Sequence, residues 1–253
     1  MVANIANHQK DGSAKNQQSN TKFYMKKIIH ALTIIDKSSS MSPYRSRTIE
    51  GINTNIAALK KEVDADTEIL NTQLQFSGVN GNMFSFTQAS NEQDFVFKRI
   101  GQQVNDLADM TLADYEPSGW TPLLDAVGLG VEKVKEFHGD KLGDDNLKVI
   151  VTIFTDGEEN SSKKFNREQI KQMIEHFQSD GKWTFTFVGC GSIEDVSATS
   201  ATLGVSANNT VAYAATDTGT AEAYTKIATS YSNFARSAKL GTVDKDLFTA
   251  KSL

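Results

Sequence analysis

The sequence predicts an α/β protein: a doubly wound, mostly parallel central sheet with one antiparallel edge strand and helices on both faces. Three observations predict it. Two runs, KKIIHALTIID (26–36) and LKVIVTIFTDG (147–157), are almost continuously apolar, as strands buried on both faces are. Between the strand-like segments lie stretches whose apolar residues recur at three- and four-residue spacing, the mark of amphipathic helices. Strand, helix, strand, helix in that order implies βαβ crossovers, which place helices on both sides of a parallel sheet.

Each element follows in order. Residues 1–23 are polar and lack the apolar middle of a signal peptide, so a disordered lead-in is expected. After the first strand, PYRSRTIEGINTNIAALKKEV (43–63) carries Ile49, Ile52, Ile56 and Leu59 at helical spacing, opened by Pro43. TEILNTQLQFS (67–77) and GNMFSFTQ (81–88) alternate polar and apolar, with Gly78–Gly81 as a hairpin connection. One of these two is expected to run antiparallel at or near a sheet edge. RIGQQVNDLADM (99–110) reads as a short helix and LADYEPSGW (112–120) as a loop. TPLLDAVGLGVEKVKEFH (121–138) is helical, with Thr121 and Pro122 at its start. The second apolar strand follows at 147–157. NREQIKQMIEHFQS (166–179) reads as a helix, WTFTFVG (183–189) as a strand, and IEDVSATSATLG (193–204) as a short helix closed by Gly204. NTVAYAAT (209–216) reads as a strand and GTAEAYTKIATSYSNFARSAK (219–239) as a last long helix. The expectation is a single domain over 24–240 with a C-terminal tail at 241–253.

Composition narrows the function. With 253 residues, 39% hydrophobic and 23% charged, the chain can bury a self-sufficient core. Its formal net charge of −5 lacks the basic surplus that duplex nucleic acid demands, so no nucleic-acid partner is expected. Cys190 is the one cysteine, which excludes an internal disulfide and a zinc site built from several thiolates. It ends an apolar run and reads as packing. The histidines, at 8, 30, 138 and 176, form no pair at helical metal spacing. No stretch approaches the ~20 apolar residues of a membrane span. A cytoplasmic protein, monomeric by itself, is expected.

Both apolar strands end on an aspartate, Asp36 and Asp156, at the sheet edge where α/β proteins bind ligands. If the strands are neighbours, the two carboxylates repel unless one takes a proton or both share a cation. Asp36, Ser38 and Ser40 stand at i, i+2, i+4, a spacing that aims three oxygens the same way on an extended or turning segment. Thr121 offers a further hydroxyl at a helix start. Two carboxylates, three hydroxyls and water make an all-oxygen set suited to Mg²⁺, with Mn²⁺ or Ca²⁺ as alternatives. Other readings exist for single pieces. Ser40 or Ser42 before Pro43 could cap the next helix, and the TDG at 155–157 could be a turn only. Asp125 reads as a supporting hydrogen-bond acceptor, while Glu158, Glu159 and Asn160 read as solvated rim. Trp120 and Tyr44 flank the motifs, either as contacts at a binding face or as loop packing.

DKSSS (36–40), SGWTPLLDA (118–126) and TDG (155–157) together resemble the metal-ion-dependent adhesion site of von Willebrand factor A domains. That pattern is Asp-x-Ser-x-Ser, a Thr in Gly-x-Thr-Pro-Leu, and an Asp in Thr-Asp-Gly. All five ligand positions match, as Asp36, Ser38, Ser40, Thr121 and Asp156, and the element order matches over about 24–238. Where many members have Gly, this chain has Ser39, at a position that is not a ligand. The resemblance implies a Rossmann-like fold, direct ligation by the serines and threonine, and a last coordination place taken by an Asp or Glu of a partner protein. It is nearest to small intracellular bacterial or phage members that act as accessory subunits of larger assemblies. The alternative is a metal-dependent phosphoester hydrolase. Hydrolases of the haloacid dehalogenase type also put an aspartate after a first strand. They need a second aspartate two residues on, where this chain has Ser38. No histidine lies near the motifs, so no base stands beside a nucleophile, and no enzyme is expected.

Overall fold

The computed structural model describes residues 26–78, 93–157, 159–213, 217–243 and 246–248. Six strands form one sheet in the order β3-β2-β1-β4-β5-β6. They are β1 (Lys27–Asp36), β2 (Thr67–Gly78), β3 (Gln93–Gln103), β4 (Leu147–Thr155), β5 (Trp183–Cys190) and β6 (Thr210–Tyr213). All neighbours run parallel except β2 and β3. The helices are α1 (Arg45–Lys60), α2 (Leu123–His138), α3 (Arg167–Ser179), α4 (Ile193–Thr202) and α5 (Asp217–Lys239).

The two-residue period of the central strands divides the core into two layers. On β1, Ile29, Ala31 and Ile35 face a layer with Ile52, Ile56 and Leu59 of α1 and Ile227, Phe234 and Ala235 of α5. Leu32 and Ile34 face the other layer, with Val127, Val131 and Val134 of α2 and Ile170 and Ile174 of α3. On β4, Ile150 and Phe154 face the first layer and Val149, Val151 and Ile153 the second. Every residue of β4 is buried, which is why its sequence shows no alternation.

One segment corrects the sequence reading. The short helix expected at 99–110 is strand as far as Gln103, followed by a single turn over Val104–Asp106. Pairing across the sheet decides it: Arg99 stands opposite Gln73 and Phe97 opposite Leu74, while Phe95 and Phe97 pack toward the α2 layer. The antiparallel edge strand is therefore β3. The strand expected at 81–88 and most of the connection expected at Gly78–Gly81 lie outside the described residues, as do the last three residues of the strand expected at 209–216. Beyond α5, Leu247 and Phe248 are buried. The Leu247 carbonyl accepts from Ser230 Oγ at 2.8 Å, and Phe248 N–H donates to the Asn208 carbonyl at 2.9 Å.

The site follows from the strand order. From β1 the chain moves outward to β2 on one side, and from β4 to β5 on the other. The crevice beyond the carboxyl ends of β1 and β4 is the topological switch point of the sheet.

Candidate metal centre

Asp36 closes β1 and is fully buried. One carboxylate oxygen accepts from Ser38 N–H at 2.7 Å and the other from Thr155 Oγ at 2.6 Å. Its main-chain carbonyl accepts from the buried Tyr115 hydroxyl at 2.5 Å. The following residues are pinned by main chain: Lys37 N–H donates to Phe76, Ser118 N–H to Lys37, and Ser39 N–H to Gly119. The Lys37 ammonium turns away to Asp94, 2.6 Å distant. Ser38 is extended, and a tight turn over Ser39–Tyr44 leads into α1. Neither this turn nor α1 carries a side-chain cap. Ser40 Oγ instead donates to Asp156 Oδ1 at 2.9 Å and lies 3.0 Å from Ser38 Oγ.

Thr121 arrives from the opposite side. Gly119 at φ +81° makes the preceding bend, and a Cβ there would lie 1.5 Å from the Gly78 carbonyl oxygen. Trp120 bridges to Gly78 through two main-chain hydrogen bonds and is 57% exposed. Thr121 itself is buried. Its hydroxyl meets the others above Gly157. A Cβ on Gly157 would stand 3.3 Å from Thr121 Oγ1, 3.5 Å from Ser40 Oγ and 3.8 Å from Asp36 Oδ2. All five residues singled out in the sequence therefore gather in one crevice.

Burial pushes the Asp36 carboxyl up to about 6, against the hydrogen bonds from Thr155 and Ser38, with the Asp156 charge adding to the rise. Burial also raises Asp156, against its hydrogen bond from Ser40. Two carboxylates held in this way are costly to ionise together, and a shared cation removes that cost. The donor spacing fits a small octahedral ion. At metal–oxygen distances of about 2.0–2.1 Å, adjacent octahedral ligands stand about 2.9 Å apart. The Ser38–Ser40 and Ser40–Asp156 oxygen pairs are at 3.0 and 2.9 Å. Among the described residues no three His, Cys, Asp or Glu side chains cluster at metal distance.

The surroundings hold partners that the sequence did not reveal. Glu159 and Asn160, expected as solvated rim, are both engaged. Glu159 accepts from the main-chain N–H groups of Leu124, Ser161 and Ser162. Asn160 Oδ1 accepts from Thr121 N–H at 2.8 Å, and Asn160 N–H donates to the Thr121 carbonyl at 3.1 Å. Residues without a helical or strand period invite a reading as surface, and only the fold brings these to the α2 start. Glu158 lies outside the described residues. Asp125 is fully buried and accepts from the N–H groups of Lys163, Lys164 and Phe165, the supporting role expected for it. Tyr44 packs edge-on against Tyr213.

The sheet order and single antiparallel edge strand are those of the Rossmann-like von Willebrand factor A fold. Among solved structures the chain is similar to the pilus adhesin SpaC from Lactobacillus rhamnosus GG, at 10% identity and a TM-score of 0.55, over 81% of this chain and 30% of that one. It is also similar to proximal thread matrix protein 1 from the mussel byssus, at 12% identity and a TM-score of 0.51, over 85% and 47%. A von Willebrand factor type A protein from Catenulispora acidiphila aligns at 12% identity and a TM-score of 0.46, over 85% and 43%. The chain thus spans less than half the length of each of these three. No protein-family profile and no curated protein sequence matches it. Among the described residues no helix is long and apolar enough to cross a membrane.

Proposed function

We propose that the protein is a metal-dependent protein-binding module. Asp36, Ser38, Ser40, Thr121 and Asp156 hold a divalent cation, Mg²⁺ in first place, and an Asp or Glu side chain of a partner protein completes its shell. The observation that carries this reading is the convergence of Thr121 Oγ1 with Ser40 Oγ and Asp36 Oδ2, from two separate chain segments, on the space above Gly157 in a third. The bound ion supplies a Lewis-acidic point with an exchangeable water. Two carboxylates neutralise a divalent charge and leave the neutral hydroxyls to complete the shell, so a third carboxylate is still attracted. The buried Asp36 anchors the ion, Thr155 and Ser38 N–H orient that carboxylate, and Thr121 closes the far side. We further propose an accessory role within an intracellular assembly, with the domain spanning about 24–240.

Thermal unfolding with and without Mg²⁺ tests the reading. Ligand at ~100 times its dissociation constant adds about 2.7 kcal/mol to stability. Millimolar Mg²⁺ or Mn²⁺ should raise the midpoint, and Asp36→Ala should remove the rise. A wild-type protein indifferent to both ions sinks the reading. Partner capture from the native host, with and without EDTA, then separates metal-mediated recognition from binding elsewhere.

A further inference from the structure

We propose that Asn160 is a positioning residue that holds Thr121 in the donor set. The inference rests on the metal-site reading and adds a residue to it. Thr121 is clasped at both main-chain ends by one neighbour: its N–H donates to Asn160 Oδ1 at 2.8 Å and its carbonyl accepts from Asn160 N–H at 3.1 Å. Two opposed hydrogen bonds to one residue fix the backbone of Thr121. Its side chain then has one remaining torsion, stiff because Thr is β-branched. The clasp therefore fixes the backbone position from which Oγ1 reaches the site.

The clasp is itself anchored. Glu159, the preceding residue, accepts from Leu124 N–H at 2.9 Å at the start of α2, and from Ser162 Oγ at 2.7 Å. Asp125, one helical turn beyond Thr121, receives the N–H groups of residues 163–165 at 2.7–2.8 Å. Residues on both sides of Asn160, Glu159 and 163–165, are thus stapled to the start of α2. Asp156, four residues before Asn160, belongs to the proposed donor set. Asn160 is exposed, so truncation to alanine chiefly removes the Oδ1 acceptor of Thr121 N–H and leaves the main-chain bond to the Thr121 carbonyl in place.

A double-mutant cycle on Mn²⁺ affinity, read by calorimetry, tests this. Supporting groups around metal ligands are worth about 10–100-fold in affinity. Asn160→Ala should weaken Mn²⁺ binding about tenfold with the metal-free melting temperature nearly unchanged. In a Thr121→Ala background the same substitution should change affinity less than about twofold, because the group it positions is gone. Asn160→Asp, which keeps an acceptor for Thr121 N–H, should retain at least wild-type affinity. Wild-type affinity in Asn160→Ala, an equal loss in both backgrounds, or a comparable loss in Asn160→Asp overturns the proposal while leaving the metal site standing. A wild-type protein that binds no Mn²⁺ overturns both.

Discussion

Gly157 stands beside Thr121 Oγ1, Ser40 Oγ and Asp36 Oδ2, where a side chain would compete with the proposed ion. Its backbone needs no left-handed conformation, so an alanine there is tolerated by the chain, but the added methyl would lie 3.3–3.8 Å from three donor oxygens. Gly157→Ala should keep the metal-free melting temperature within a degree or two and weaken Mn²⁺ binding about tenfold or more, measured by calorimetry. The five residues that meet in this crevice stood out in the sequence because three of them share one short motif and the other two sit beside Gly and Pro that mark turns. Their partners were not. Thr155, Tyr115 and Asn160 act across 119, 79 and 39 residues of chain. Nothing local in the sequence sets them apart from an ordinary strand threonine, loop tyrosine or surface asparagine.

At the scale of elements, α1 and α5 meet through a glycine. A Cβ on Gly51 would fall 2.0 Å from the ring of Tyr224, which is buried and lies beside Tyr213, at 6.0 Å between ring centroids. The ring has little room to swing. Gly51→Ala gains about 1 kcal/mol in helix propensity, and overpacking costs about 1–3 kcal/mol. The packing loss should win, lowering the urea midpoint. The far end of α5 is held independently: Arg236 and Lys239 pair with the buried Glu62, Lys239 also with Asp64, and the Tyr231 hydroxyl reaches Thr152. Continuous apolarity made β1 and β4 readable as central strands, and helical spacing made α1 readable. β3 escaped because QDFVFKRIGQQ is only weakly alternating, and its state is decided by β2 beside it.

At the scale of the whole molecule, the sheet carries a second buried polar centre at its other end. His30 Nδ1 lies 2.7 Å from His138 Nε2 and His30 Nε2 lies 2.8 Å from Thr72 Oγ1, a pairing across 108 residues that scattered histidines gave no hint of. A hydrogen bond between two imidazoles needs at least one of them neutral. Burial, helped by the His138 charge, lowers His30 to about 3, and burial also lowers His138. Below its ordinary value of about 6.5, the unfolded state takes up protons that the folded state refuses, so this stability is present above that pH and lost as pH falls. At pH 5 the loss from His30 amounts to about 2 kcal/mol. Asp36 works in the opposite direction, because its raised carboxyl binds a proton more readily when folded. The comparison of His30→Gln with wild type therefore isolates the histidine contribution: urea midpoints at pH 7 and pH 5 should differ less in the variant.

Both centres belong to β1, six residues apart. At about 3.3 Å per residue the strand is a ruler roughly 20 Å long between them, far beyond hydrogen-bond or ion-pair reach. A buried, fully hydrogen-bonded strand does not stretch, so an ion at one end and a proton at the other act as separate perturbations. Acid and chelator should therefore destabilise this protein additively once direct protonation of the donors is allowed for. Any excess over the sum would have to travel through the rigid strand they share.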